Sequence, residues 1–201
     1  MNTFFIAGHE TTASTMNSAL HFLSRNPNAQ ERARSEILEV WDDGELDYEK
    51  IKKMTFIDCC IKEALRLMPP VPLLIRSVKP GTLNVEMGSL SVSGGALVGV
   101  NVYTIHRDAQ LWGEDAGEYK PERFLAENRL KSSRNAFLPF SLGPRQCIGN
   151  NFANLEMRIF LSILLKEFRF FPDPHSVPLC TTSTPIFSFD SACTLLIEAI
   201  N

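Results

Sequence analysis

The run Phe140-Ser141-Leu142-Gly143-Pro144-Arg145-Gln146-Cys147-Ile148-Gly149 constrains this chain more than any other stretch of it. Its fixed positions follow F-x-x-G-x-R-x-C-x-G, which at average residue usage arises on the order of once in several million windows. Downstream, Phe152, Leu155, Ile159, Ile163 and Leu164 recur at helical spacing with no proline among them. Cys147 therefore stands at or just before a helix N-terminus. Free backbone N–H groups and the helix dipole favour an anion there and lower a thiol's pKa. The deprotonated sulfur is the form that ligates metal, so the pattern predicts a socket for an iron held by one thiolate. Taken alone, Cys147 would suit a buried cysteine at a loop–helix junction, but its partners at fixed spacing outweigh that reading. Gly143 suits a tight turn bringing backbone N–H groups toward the sulfur. Gly149 lets a flat ligand approach closely, Phe140 would cover the sulfur, and Arg145 is a charge-assisted donor for an anionic group.

These residues resemble the cysteine-ligand loop of the cytochrome P450 family of haem-thiolate monooxygenases. The resemblance implies haem b (iron protoporphyrin IX) as cofactor, with Cys147 as axial iron ligand. Phe140, Gly143, Arg145 and Gly149 would then be cofactor-binding residues, Arg145 pairing with a haem propionate. A thiolate opposite bound dioxygen pushes electron density onto iron and favours O–O cleavage.

Three other segments test the resemblance. Ala7-Gly8-His9-Glu10-Thr11-Thr12 resembles the family's oxygen-activation segment, within a helix expected from Met1 to about Arg25 with Phe4, Phe5, Ala19, Leu20 and Leu23 on apolar positions. Ala7 and Gly8 would lie against the cofactor, since glycine inside a helix otherwise only costs stability. Glu10 and Thr11 would form the catalytic proton relay, an acid beside an alcohol. A threonine hydroxyl also bonds back to a carbonyl one turn earlier, which can open a helix to water. Without the rest of the chain, a threonine-rich face with one solvated carboxylate explains this segment equally well. His9-Glu10 begins a zinc-protease pattern, but Ala13 stands where its second histidine belongs.

Glu63-Ala64-Leu65-Arg66 lies on a helix with an apolar stripe of Ile57, Cys60, Ile61, Ala64, Leu65 and Met68, stopped by Pro69 and Pro70. Glu63 and Arg66 share a face, as many solvated pairs do. The resemblance implies that this pair is buried and locks onto Arg123 of Pro121-Glu122-Arg123-Phe124, organising the approach to the cysteine. Arg76 sits in the extended run Leu73–Val78, where the family often places a second propionate-binding arginine. The apolar neighbours predict its burial, and a solvated strand arginine is the alternative. His106-Arg107-Asp108 resembles a common family tripeptide with a structural role.

The 201 residues, 44% of them hydrophobic, suffice for a real core in one domain or part of one. A net charge of −3 with scattered lysines and arginines argues against nucleic acid as partner. No run is long enough for a membrane anchor and no signal pattern opens the chain. The 5 cysteines (59, 60, 147, 180 and 193) form no C-x-x-C pair and, with no N-x-S/T acceptor, suggest a reducing intracellular compartment. If a longer parent carries an anchor, the cytosolic face of a membrane is the expected location.

Further helices are expected at 27–41 and 47–53, with strands at 83–86, 90–92 and 96–103. An irregular stretch follows over 109–146, then the final helix and closing strands at 168–171 and 194–199. The fold class is mainly α with a small β-sheet component, the C-terminal part of the P450 fold over 1–201. The segments the family places earlier would be absent, leaving exposed apolar surface and marginal stability. The resemblance implies insertion of one atom of dioxygen into a small apolar substrate. Electrons would come from a separate flavoprotein or iron–sulfur donor, since no flavin or nicotinamide fingerprint occurs. The alternative is a truncated, non-catalytic chain that binds haem weakly or not at all. Residues 74–76 and 183–187 could line a pocket but name no ligand.

Overall fold

The protein is described by a computed structural model covering residues 2–42, 44–128, 135–176 and 194–200. In chain order its elements are α1 (Asn2–Arg25), α2 (Pro27–Trp41), α3 (Tyr48–Lys53), α4 (Thr55–Leu67), β1 (Leu73–Ser77), β2 (Val85–Met87), β3 (Leu90–Val92) and β4 (Leu97–Asn101). They continue with the one-turn helices α5 (Val102–Ile105) and α6 (Ala109–Trp112), α7 (Asn150–Glu167), β5 (Phe168–Pro172) and β6 (Leu195–Ala199). Among the described residues of 113–149 there are three short 3-10 turns, at Pro121–Phe124, Ala126–Asn128 and Gly143–Arg145.

The organising element is α4. Its Ile57, Cys60, Ile61, Ala64 and Leu65 are all buried, and α1, α2 and α7 pack around it in one continuous core. Its first turn has no cap of its own: Met54 precedes it, and its side chain bonds none of the free N–H groups. Glu36 of α2 supplies that cap from outside, accepting from Phe56 N at 2.8 Å, Ile57 N at 3.0 Å and Thr55 Oγ1 at 3.0 Å. A carboxylate at a helix N-terminus also complements the dipole. This contact ties α2 to α4.

A second tie crosses the core. Gln30 of α2 is buried, donates to the carbonyls of Leu23 (3.1 Å) and Phe170 (2.9 Å) and accepts from Phe170 N (2.8 Å). Both backbone groups of Phe170 are thereby satisfied, as burial of a strand residue requires. At the α1–α2 junction, Asn26 occupies the N-cap position with Pro27 behind it. Its side chain nonetheless donates back to Phe22 O at 2.8 Å rather than capping α2.

The strands form three separate antiparallel pairs: β1 with β4 (Leu73↔Asn101 to Ser77↔Leu97), β2 with β3 (Val85↔Val92), and β5 with β6 (Phe168↔Ala199). The strand expected over 96–103 ends at Asn101, whose side chain accepts from Thr104 N at 3.1 Å and starts a helical turn instead. The pocket-lining reading of 183–187, Cys180 and Cys193 lie outside the described residues.

Two apolar stripes differ from their sequence reading. Only the second half of α1 is buried (Ala19 and Leu23 fully), while Phe4 and Phe5 stand about 70% exposed. The first turns of α1 carry no core-facing residue. On α7 the buried face is Met157, Leu161 and Leu165, spaced four apart, and Phe152 and Ile163 face outward. That helix is apolar on more than one side, so periodicity alone could not choose the inward face. Leu73, Ile75 and Leu97 on β1 and β4, with Ile148 beside Cys147, extend the exposed apolar surface. Among the described residues no helix is long and apolar enough to cross a membrane.

Candidate functional site

The site rests on a buried charge cluster. Arg66 and Glu63 are both fully buried and joined twice, Arg66 Nε to Oε2 at 2.8 Å and Nη2 to Oε1 at 2.7 Å. Arg66 also donates to the carbonyls of His106 (2.7 Å), Ala116 (2.6 Å) and Glu118 (3.0 Å). All of its guanidinium hydrogens thus have acceptors, which a buried arginine demands. Arg123 completes the triad, reaching Glu63 Oε1 at 3.3 Å and the carbonyls of Trp112 and Asp115 at 3.0 Å and 2.6 Å. Lys120 and, after it, Arg123 hold the Asp115 carboxyl down at about 2. The aromatic layer of Trp112, Phe124 and Phe137 covers the cluster. The triad therefore nails the irregular 106–123 stretch to α4 through backbone carbonyls, which side-chain patterning does not reveal.

From this base the chain runs to the cysteine loop. Gly143 adopts φ 75°, a left-handed turn open to glycine at little cost. Gln146 N donates to Gly143 O at 3.0 Å, and Cys147 N donates to Phe140 O at 2.9 Å, closing the loop at its base. Ser141 also lies at positive φ, 62°, unusual for a residue with a side chain. Its hydroxyl accepts from Arg76 Nη2 at 3.1 Å, so β1 braces the loop where its backbone is strained. The loop thus brings Arg76 and the Phe140–Gly149 segment together.

Cys147 is exposed, whereas Cys59 and Cys60 are buried. Burial pushes the Cys59 thiol up to about 11 and raises the Cys60 thiol well above its ordinary range, so neither is a thiolate donor at neutral pH. The sulfur of Cys147 opens onto a recess of about 370 Å³ lined by Pro144, Gln146, Ile148, Asn150 and Asn151. Gly149 stands at the N-cap of α7, and a Cβ there would sit in ordinary van der Waals contact with the sulfur, at 3.8 Å. A soft, accessible donor at a helix start, with Arg145 exposed beside it, fits a haem iron and its carboxylates.

Two expectations for these residues are corrected. Among the described residues no backbone N–H bonds the sulfur, and the Cys147 amide itself donates to Phe140 O. Arg76 is exposed rather than buried, as is most of β1. Phe140 packs against the main core.

On α1, Thr11 Oγ1 donates to Ala7 O at 2.6 Å, the back-bond to the preceding turn. The helix stays continuous through it. Ala7, Gly8 and Glu10 are exposed, and a Cβ on Gly8 would meet no protein atom within 4 Å. Among the described residues no hydrogen bond joins Glu10 to Thr11 or either residue to the cysteine loop. Among the described residues no group of three or more His, Cys, Asp or Glu side chains is placed to hold a metal ion.

The residue that sequence reasoning undervalued is His106. It is fully buried, its Nε2 accepts from Leu138 N at 2.8 Å, and its Nδ1 lies 3.2 Å from Arg66 O. Since an amide can only donate, Nε2 is unprotonated and Nδ1 carries the hydrogen. The tripeptide His106-Arg107-Asp108 was the available signal, but nothing in it names Leu138 as partner.

The fold, the buried Glu63–Arg66–Arg123 triad and the exposed cysteine together define a haem-thiolate architecture. A sequence model described as Cytochrome P450 matches residues 1–192, and the chain belongs to this family. It is 38% identical over 180 residues to human Cytochrome P450 4F8, covering 88% of this chain and 34% of the relative. To the Cytokinin hydroxylase of Arabidopsis thaliana it is 40% identical over 169 residues, 84% of this chain and 32% of that protein. The crystal structure of a cytochrome P450, CYP102L1, superposes with a TM-score of 0.87 at 34% identity, covering 98% of this chain and 44% of that one. The chain spans about a third of the length of the curated relatives it matches.

Proposed function

We propose that this chain carries the cysteine-ligand and oxygen-activation segments of a haem monooxygenase. The reaction would place one atom of dioxygen in a small apolar substrate and release the other as water. Two electrons would arrive from a separate flavoprotein or iron–sulfur donor. The observation that supports this most is the accessible Cys147 sulfur at the start of α7, in a loop closed by the Cys147–Phe140 backbone bond.

Bound haem supplies the oxygen activation, tuned by its thiolate ligand. Cys147 would donate that thiolate from the start of α7. Arg145 and Arg76 would donate to the two propionates and orient the macrocycle. Ala7 and Gly8 would offer the macrocycle a low, exposed helical face. Thr11 would hold a proton at Oγ1, released when the hydroxyl turns from Ala7 O, and Glu10 would resupply it from solvent.

The test is the carbon monoxide difference spectrum of the haem-reconstituted, reduced chain beside its Cys147→Ser and Cys59→Ser variants. A red-shifted Soret band that survives Cys59→Ser and disappears in Cys147→Ser is expected. An unchanged band in Cys147→Ser would overturn the assignment. No haem uptake by the unaltered chain would favour a product that cannot use its motifs.

A further inference from the structure

We infer that His106 is the positioning residue that carries the order of the buried triad into the cysteine loop, an inference that rests on Cys147 being the haem ligand. Three relationships lead to it. Arg66 Nη1 donates to His106 O, and the His106 ring returns a bond from Nδ1 to Arg66 O, so residue and triad hold each other in a closed pair. The same ring accepts from Leu138 N at 2.8 Å. Leu138 O in turn accepts from Ser141 N at 3.2 Å, at the strained residue that Arg76 braces, one step from Phe140 and its bond to Cys147 N.

The ring's two nitrogens thus face opposite ways, one to α4 and one to the start of the loop. Phe137 and Trp112 pack on it at centroid distances of 5.3 Å and 6.4 Å. Without the acceptor at Nε2, the half-buried start of the loop holds an N–H with no protein partner. The backbone around Leu138 would then shift to find water, carrying Phe140 and the base of the Cys147 loop with it. His106 touches neither sulfur nor iron; it acts through Leu138.

Two substitutions separate the ring's two bonds. Glutamine places an amide oxygen about where Nε2 lies and can still accept from Leu138. Asparagine reaches only as far as Nδ1, keeps the bond to Arg66 O and loses the one to Leu138. In the haem-reconstituted chain, His106→Gln should retain the thiolate-type Soret band of the carbon monoxide complex. His106→Asn should lose most of it to the neutral-ligand position. Equal bands in the two variants, whether both strong or both weak, would overturn the inference.

Hydrogen exchange at the Leu138 amide gives a readout that needs no haem. In the unaltered chain this amide should exchange as slowly as those of α4, and in His106→Asn on the order of tenfold faster. Free exchange in the unaltered chain would refute the strut even where the asparagine variant does not fold. A protected Leu138 amide in a chain lacking the thiolate band would instead refute the assignment of Cys147 and leave the strut standing.

Discussion

Arg66 and His106 each donate a hydrogen bond to the other's backbone carbonyl, Nη1 to O at 2.7 Å and Nδ1 to O at 3.2 Å. The two residues lie on different elements, and both are completely buried. This reciprocal pair joins the central helix to the irregular stretch that leads to the cysteine. It makes the triad a scaffold rather than a reaction centre, and the consequences are measurable.

Arg66→Lys should destabilise the chain nearly as much as Arg66→Ala. Lysine brings three donors on one nitrogen, whereas the arginine fork serves Glu63 and three separate carbonyls. Either change takes the two-point partner from the buried Glu63 carboxylate, leaving it Arg123 at 3.3 Å and Lys120 N at 2.9 Å, and about 3–5 kcal/mol is expected in chemical denaturation. A loss below about 1 kcal/mol for the lysine variant would show that the fork geometry is unimportant.

Acid should unfold the chain through its buried histidines. Burial pulls His106 down to about 4 from 6.5, and burial followed by the charge of Arg25 does the same for His21. A depressed folded pKa means that the unfolded chain binds more protons between pH 6.5 and 4. Stability is then complete above pH 6.5 and declines as pH falls through that window, by about 3 kcal/mol for fully buried His106. Denaturation midpoints at pH 7, 5.5 and 4.5 check this. His106→Gln should flatten the slope.

Glu36→Ala should loosen α4 from its first turn. The carboxylate satisfies two backbone N–H groups of another helix, so its removal is expected to lower stability by about 1–2 kcal/mol. Exchange at the amides of Phe56 and Ile57 should quicken before the rest of α4 does. Uniform acceleration along the helix would contradict a local cap.

Leu161→Ala and Phe152→Ala distinguish the two faces of α7. The first empties a fully buried position and should cost about 2–5 kcal/mol, while the second alters a side chain 72% exposed and should stay within about 0.5 kcal/mol. Similar losses at both positions would mean that the outward face is packed in solution.

The sequence alone determined the elements that depend on near neighbours. The helical stripe of α4 from Ile57 to Met68, its stop at Pro69, the turn at Gly143 and the start of α7 behind Cys147 follow from periodicity, proline geometry and glycine's freedom at positive φ. The spacing of Phe140, Gly143, Arg145, Cys147 and Gly149 pointed to the family without any fold. Tertiary structure decided what distant residues share. Which side of α7 turns inward, that Phe140 packs on the core, and that Arg76 stays exposed all depend on what packs where. The cap that Glu36 lends α4 and the bond from His106 to Leu138 join backbone groups far apart in the chain. A backbone N–H or carbonyl looks the same at every residue, so only the folded chain reveals which side chain satisfies it.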